Sequence, residues 1–388
     1  MRDVYVLGVG QTIFGKHDSL TVNDLGAAAA LAAVRDAEIS PKLFQTAYCG
    51  TIFSPPTPVQ SILFRLGVDR IPMVTVENAC ASGSSAVHLL YRDIALGACD
   101  VGIALGVESL SAYNRKVGKG LLAIEGDLQG RLALTMPAFF AKLCNRLMEK
   151  RGATLEDICY PSVKNHKAGL NNPYAQYKKE LTFAEIMASP MIADPITVLQ
   201  CCPQSDGAAA VVLCSEAFYR KHSRKGHRPP VKVAASVISV SGAEDASFDP
   251  LEMEVMIKGA RTACETAGID PQVDIDVVEL HDAFSGEELA AYEMLGLCKR
   301  GEGIALARSG AVELGGRCPV NPSGGLLSMG HPLGASGVRV VIEVARQLWG
   351  EAGANQVKGA KVGLSQMLGG VLTGIESPVV AGIQILVR

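Results

Sequence analysis

The sequence predicts an α/β protein made of two copies of one strand–helix unit, with a subdomain inserted in the first copy. Three observations carry this. Short apolar runs alternate with Ala-rich helical stretches along most of the chain, the rhythm of strands covered by helices. Gly is abundant at 41 residues while aromatics are only 5%, a composition suited to close helix–sheet packing. The halves also match in detail. Cys80-Ala-Ser-Gly83 opens a helix and is followed by Asp100-Val-Gly-Ile-Ala-Leu-Gly106. Gly334-Ala-Ser-Gly337 opens a helix and is followed by Lys361-Val-Gly-Leu-Ser365 and then Gly369-Gly370.

The elements follow in order. Residues 4–10 read as a strand, and 25–36 as a buried helix capped by Asn23 or Asp24. Residues 73–76 read as a strand, 84–96 as a helix and 100–106 as a strand. In the second half, 231–239 is a strand, 251–267 a helix, 274–280 a strand and 286–297 a helix. A helix at 336–349 and a strand at 360–366 complete the pattern. Residues 112–204 break the rhythm and are too long for a bare loop, so they read as the inserted subdomain. The first half is then 1–111 with 205–222, and the second 223–388. Between them RKHSRKGHRPP (220–230) is basic and non-periodic, which predicts a solvated linker; a phosphate contact is the other reading.

Composition excludes several function classes. The 36 Lys and Arg nearly balance the 39 Asp and Glu, for a net charge of −3, which lacks the basic footprint of a nucleic-acid binder. No run reaches the roughly 18 apolar residues of a membrane span. The start, Met1-Arg-Asp-Val-Tyr-Val, reads as a strand and not as a signal peptide. A soluble, cytoplasmic protein is expected. The eleven cysteines are scattered, odd in number and without a CxxC pair, so neither a disulfide framework nor a metal site is expected.

One cysteine differs. Cys80 follows the strand MVTVEN and precedes a helix, where free N–H groups and the helix dipole favour thiolate. A buried structural cysteine at a turn is the bland alternative. A thiolate nucleophile needs a base. His331 immediately precedes the helix that matches the one after Cys80, so the internal symmetry brings it near. His281 follows the strand DVVEL, at the strand end where open α/β sheets place ligands. Gly8-Val-Gly10 lacks the third glycine of a dinucleotide loop. Adjacent Cys201 and Cys202 suit neither a metal site nor an easy disulfide.

These residues together resemble the thiolases. NACASG around Cys80, NPSGGLLSMGHPLGASG (321–337) and SQMLGG (365–370) carry the likeness, with Asn165-His166, Ile192-Ala-Asp-Pro195 and Ser205-Asp-Gly-Ala-Ala-Ala210 in the insertion and after it. HDAFS (281–285) is similar to the HDCF motif of the sterol-carrier-protein-like and archaeal subfamily. The resemblance implies a duplicated five-layer α-β-α-β-α core with an inserted loop subdomain. It implies a CoA thioester substrate, with coenzyme A as co-substrate and no covalently bound cofactor. Cys80 would take the acyl group and His331 would activate it. The amides of Cys80 and Gly369 would form one oxyanion hole, and His331 with His281 the other; such a donor is worth roughly 2.7–4 kcal/mol. A homodimer core is implied, and in this subfamily often a small OB-fold partner with a zinc ribbon. HDAFSGEELAAYEMLGL further resembles the branch that splits benzoylsuccinyl-CoA into benzoyl-CoA and succinyl-CoA.

Two departures matter. Met367 stands where ordinary thiolases hold their acid/base Cys, and Ala283 where HDCF has its own. This expectation gives the α-proton to His281, with Cys318 as the alternative stand-in. Acetoacetyl-CoA thiolysis, a ketoacyl-synthase-type condensation using a malonyl donor, and a non-catalytic CoA- or lipid-binding scaffold are the competing readings.

Overall fold

A computed structural model describes residues 1–117, 136–222, 228–242, 249–372 and 377–388. In chain order the first half supplies β1 (Val4–Gln11), α1 (Val22–Ala37), β2 (Thr46–Gly50), α2 (Pro58–Phe64), β3 (Met73–Val76), α3 (Ser82–Ala95) and β4 (Val101–Ser109). Then come α4 (Leu110–Val117), α5 (Met136–Arg151), α6 (Leu155–Gly169), α7 (Phe183–Ala188) and a ribbon of β5 (Met191–Ala193) and β6 (Ile196–Thr197). The first half resumes with β7 (Asp206–Ser215) and α8 (Glu216–His222). The second half holds β8 (Val231–Val240), α9 (Glu254–Ala267), β9 (Val277–Glu279), α10 (Ser285–Met294), α11 (Gly303–Arg308), α12 (Gly325–Met329), α13 (Leu333–Trp349), β10 (Val362–Leu372) and β11 (Ser377–Val387).

The duplication is written in the strand order. From the shared seam outward, the first half runs β1-β7-β4-β2-β3 and the second β8-β11-β10-β9. Val320 bridges Val278 of β9 in parallel, in the place that β3 holds beside β2. The seam itself is narrow: β1 and β8 pair only at Tyr5–Lys232 and Val6–Val231. α3 packs on β2, β4 and β7 and also on β8 and β11, while α13 packs on β4, β7, β9 and β10. A helix that touches strands of both halves lies between them. With α1 outside the first sheet and α9 outside the second, the five layers α-β-α-β-α expected from the sequence are present.

The two central helices meet backbone to backbone. A β-carbon at Gly83 would lie 2.6 Å from the Gly334 carbonyl oxygen, and one at Gly337 would lie 2.3 Å from the Ser84 amide nitrogen. The two Ala-Ser-Gly turns are therefore the contact that sets the approach of the two halves.

Several local expectations are corrected. The cap of α1 is Thr21, not Asn23 or Asp24. Asp24 is the third helical residue, from which its carboxylate reaches back to the Thr21 amide at 2.8 Å while Thr21 accepts from the Asp24 amide. The linker 220–230 is not simply solvated. Residues 223–227 lie outside the described residues, but Arg228 donates to both oxygens of Asp36 on α1 and of Glu351 after α13, and stacks over Trp349. Its planar fork ties α1 to the end of α13.

Candidate active site

Cys80 sits in a strained turn between β3 and α3. Ala79 adopts φ +47°, a region that costs a non-glycine residue about 1–2 kcal/mol. The turn is over-determined by hydrogen bonds. The Ala81 amide donates to Asn78 O at 3.0 Å, the Ser82 hydroxyl donates to Ala79 O at 2.6 Å, and Asn78 N donates back to Ser82 Oγ at 2.9 Å. Strand β10 abuts this turn: a β-carbon at Gly369 would lie 2.2 Å from Asn78 O. Only glycine lets the Gly369 backbone come this close to the residues around Cys80.

The two histidines arrive from the second half. His281 follows β9, and the Leu280 and His281 amides donate to Asn321 Oδ1 and Gln366 Oε1. His331 lies in the turn between α12 and α13, with its amide held by Ser205 Oγ at 3.0 Å and Pro203 O at 3.2 Å. The structure thus brings all three together. The Cys80 sulfur and one ring nitrogen from each histidine lie within 4.8 Å of one another. The rings meet edge-on, 5.3 Å between centroids. His281 and His331 are only 4% and 3% exposed, while Cys80 keeps partial access.

Their electrostatics differ, and the second neighbours explain why. His331 Nδ1 contacts Ser336 Oγ at 2.8 Å, and that hydroxyl is spent as a donor to Pro332 O. With the Ser336 hydroxyl donating to Pro332 O, Nδ1 carries the hydrogen and Nε2 is the bare acceptor. Burial, then the charges of His281 and Arg339, push its pKa well below the ordinary value, so this ring is neutral. His281 Nδ1 is 2.6 Å from Glu287 Oε1 on α10. Burial alone would strip its proton, but the Glu287 carboxylate, followed by the Cys80 sulfur, outweighs it and raises the pKa to about 10. The site holds one neutral imidazole and one imidazolium against one sulfur. Three such atoms are also a spacing that a metal ion could use.

Sequence reasoning missed Glu287, six residues after His281, and Ser336. It also missed the buried support behind them. Asn165 Nδ2 donates to Asp282 Oδ2 and Glu288 Oε2; Asn321 Nδ2 donates to the same Oε2, and Lys164 pairs with Glu288 Oε1. Cys318 does not join the site: it is buried, outside any strand, its amide bonded to Ala311 O and its charged neighbours Arg317 and Asp276. Met367 is fully buried in the core.

The model of the thiolase N-terminal domain matches residues 4–217, and that of the thiolase C-terminal domain-like family matches 240–380. The chain is 38% identical to the benzoylsuccinyl-CoA thiolase subunit BbsB of Thauera aromatica, covering 95% of each chain. It is 37% identical to an acetyl-CoA acetyltransferase of Methanothermobacter thermautotrophicus, over 95% of this chain and 97% of that one. Among solved structures, the Ltp2-ChsH2(DUF35) aldolase superposes with a TM-score of 0.81 at 23% identity, over 99% of this chain and 98% of that chain.

Proposed function

The chain belongs to the thiolase family, and from that membership we propose that it cleaves a 3-oxoacyl-CoA with coenzyme A, or runs the reverse Claisen condensation, through an acyl-Cys80 intermediate. The observation that carries this is the Cys80–His281–His331 cluster within 4.8 Å. Neutral His331 Nε2 takes the thiol proton as the sulfur adds to the 3-keto carbon. Charge then develops on the carbonyl oxygen. The amides of Cys80 and Gly369 are the donors that would meet it, Gly369 lying against the turn that holds Cys80. His281, held as imidazolium by Glu287, stabilises the enolate oxygen of the departing thioester together with His331.

Benzoylsuccinyl-CoA, giving benzoyl-CoA and succinyl-CoA, is the substrate we favour, on the likeness to BbsB and the HDAFSGEELAAYEMLGL pattern. The comparable likeness to an acetyl-CoA acetyltransferase favours acetoacetyl-CoA as the second reading. The two halves are 1–111 with 205–222, and 223–388, with 112–204 as the inserted loop subdomain. A homodimer is supported by β3, which ends the sheet beside Cys80 with Val74 46% exposed. A small OB-fold partner with a zinc ribbon is supported by the word subunit in one relative's name and by the two-component name of the structural neighbour. Among the described residues no helix is long and apolar enough to cross a membrane. A cytoplasmic location completes the reading.

The test is CoA-dependent turnover across 3-oxoacyl-CoA substrates, with and without copurified small subunits. The proposal expects thiolysis of benzoylsuccinyl-CoA well above that of acetoacetyl-CoA. The reverse order would assign the acetoacetyl substrate, and no thiolysis of any 3-oxoacyl-CoA would refute the activity.

A further inference from the structure

The cleavage proposed above leaves a carbanion at the carbon that departs with CoA, and that carbon needs a proton. Met367 has no proton to give, and Ala283 has no functional group. A thiol nevertheless stands beside Ala283. The Cys202 amide donates to Ala283 O at 2.8 Å, and its neighbour Cys201 bridges Phe284 in antiparallel fashion. On the other side, Pro203 O accepts from the His331 amide at 3.2 Å, and Gln204 bridges His331. The strip 201–204 therefore threads between the two histidine turns, and Cys202 sits at its middle.

Cys202, like Cys80, packs against the apolar core that underlies the site. Cys202 keeps partial exposure, as Cys80 does, while most of the other cysteines are buried. Cys201 Sγ is engaged with Thr197 O at 3.5 Å; among the described residues Cys202 Sγ makes no hydrogen bond. After burial, the charges of Cys201, Cys80, Asp282 and Glu287 all disfavour ionisation of this sulfur.

We propose that Cys202 is the acid/base thiol of this site, replacing both missing cysteines and carrying the proton at the α-carbon. This rests on the thiolase reading given above. When Cys80 adds to the 3-keto carbon, its proton passes to His331. The C2–C3 bond breaks, its electron pair goes to C2, and the Cys202 S–H delivers its proton there. The products are acyl-Cys80, the shortened acyl-CoA and a Cys202 thiolate. CoA then enters. Its thiol proton goes to the Cys202 thiolate as its sulfur attacks the acyl carbonyl, and Cys80 leaves and recovers its proton from His331. Burial, then the charges around the sulfur, raise the Cys202 pKa well above the ordinary thiol value, so it waits protonated. That suits the cleavage direction, where it must first act as an acid. His281, pinned by Glu287, is then left as a fixed charge.

The experiment separates acyl transfer from carbon chemistry. The full chain, with any copurified subunit, is incubated with acetyl-CoA in heavy water. Intact mass reads the acetyl group on Cys80, which needs no proton at carbon. Deuterium in the acetyl methyl group, and acetoacetyl-CoA thiolysis, read the α-proton step. Cys202→Ala and Cys202→Ser should slow acylation far less, because a CoA thiolate leaves without an acid more readily than a carbanion, yet lose exchange and thiolysis by about 10²–10⁴-fold, the usual share of a general acid/base. His281→Ala should weaken both steps and keep measurable exchange. Wild-type exchange in an acylated Cys202 variant would overturn the assignment. So would joint loss of acylation and exchange, because it would make Cys202 a structural support. If the wild-type chain is acylated by neither acetyl-CoA nor benzoyl-CoA, the thiolase reading itself falls, and this assignment with it.

Discussion

His281 and Glu287 show how much a single neighbour decides. An imidazole with an ordinary pKa near 6.5 would be mostly neutral at pH 7. With the Glu287 carboxylate at 2.6 Å the ring keeps its proton to about 10. Glu287→Gln should move the alkaline limb of activity down from near pH 10 toward 7, with little change in CD spectrum; kcat/KM against pH reads it. The same pair makes a stability prediction. The folded pKa lies above the unfolded one, so the contribution is complete below about pH 6.5 and is lost as pH rises through about 10. Denaturant midpoints between pH 6 and 10 should fall in the wild type and flatten in the variant. The sequence made Cys80, His281 and His331 legible because each stands in a turn beside a strand or helix end. Glu287 was not legible, since Glu287 and Glu288 both sit in the first turn of α10 and both read as partners of its dipole. Only the fold turns one toward His281 and the other toward Asn165, Lys164 and Tyr292. Cys202 was hidden for a similar reason: adjacent cysteines were read for metals and disulfides, and their neighbour across the chain lies some eighty residues on.

At the scale of elements, the α3–α13 crossing aligns the chemistry. Cys80 precedes one helix and His331 the other, so their separation depends on how closely the two approach. Gly337→Ala places a β-carbon 2.3 Å from Ser84 N. The expected cost is about 1–3 kcal/mol of stability, as for other overpacked contacts. Turnover should fall more than stability alone explains, which chemical denaturation and kcat together will read. The repeated Ala-Ser-Gly turn made this crossing visible from sequence. Strands β2, β7 and β11 were not picked out. β7 is buried along its whole length, as DGAAAVVLCS, and has no alternating polar face to mark it as a strand. β9 is shorter than expected, three residues, because the backbone turns away at Leu280 to present His281.

At the scale of the molecule, the two half-sheets join through only two residue pairs, so the central helices and the Arg228 clamp carry most of the connection between them. The β3 edge is open, with Val74 46% exposed, and it leads directly into Cys80. An unpaired edge of this kind invites a second strand. Val74→Lys should shift the chain from dimer to monomer in light scattering and lower activity; a wild-type chain that is already monomeric would contradict the dimer. The central claim is that Cys80 carries an acyl group. Its most direct test is intact-protein mass after brief incubation with an acyl-CoA, with any copurified subunit present. The account predicts one acyl mass added to the wild-type chain and none to Cys80→Ala. An unmodified wild-type chain, or the same adduct on Cys80→Ala, would contradict it.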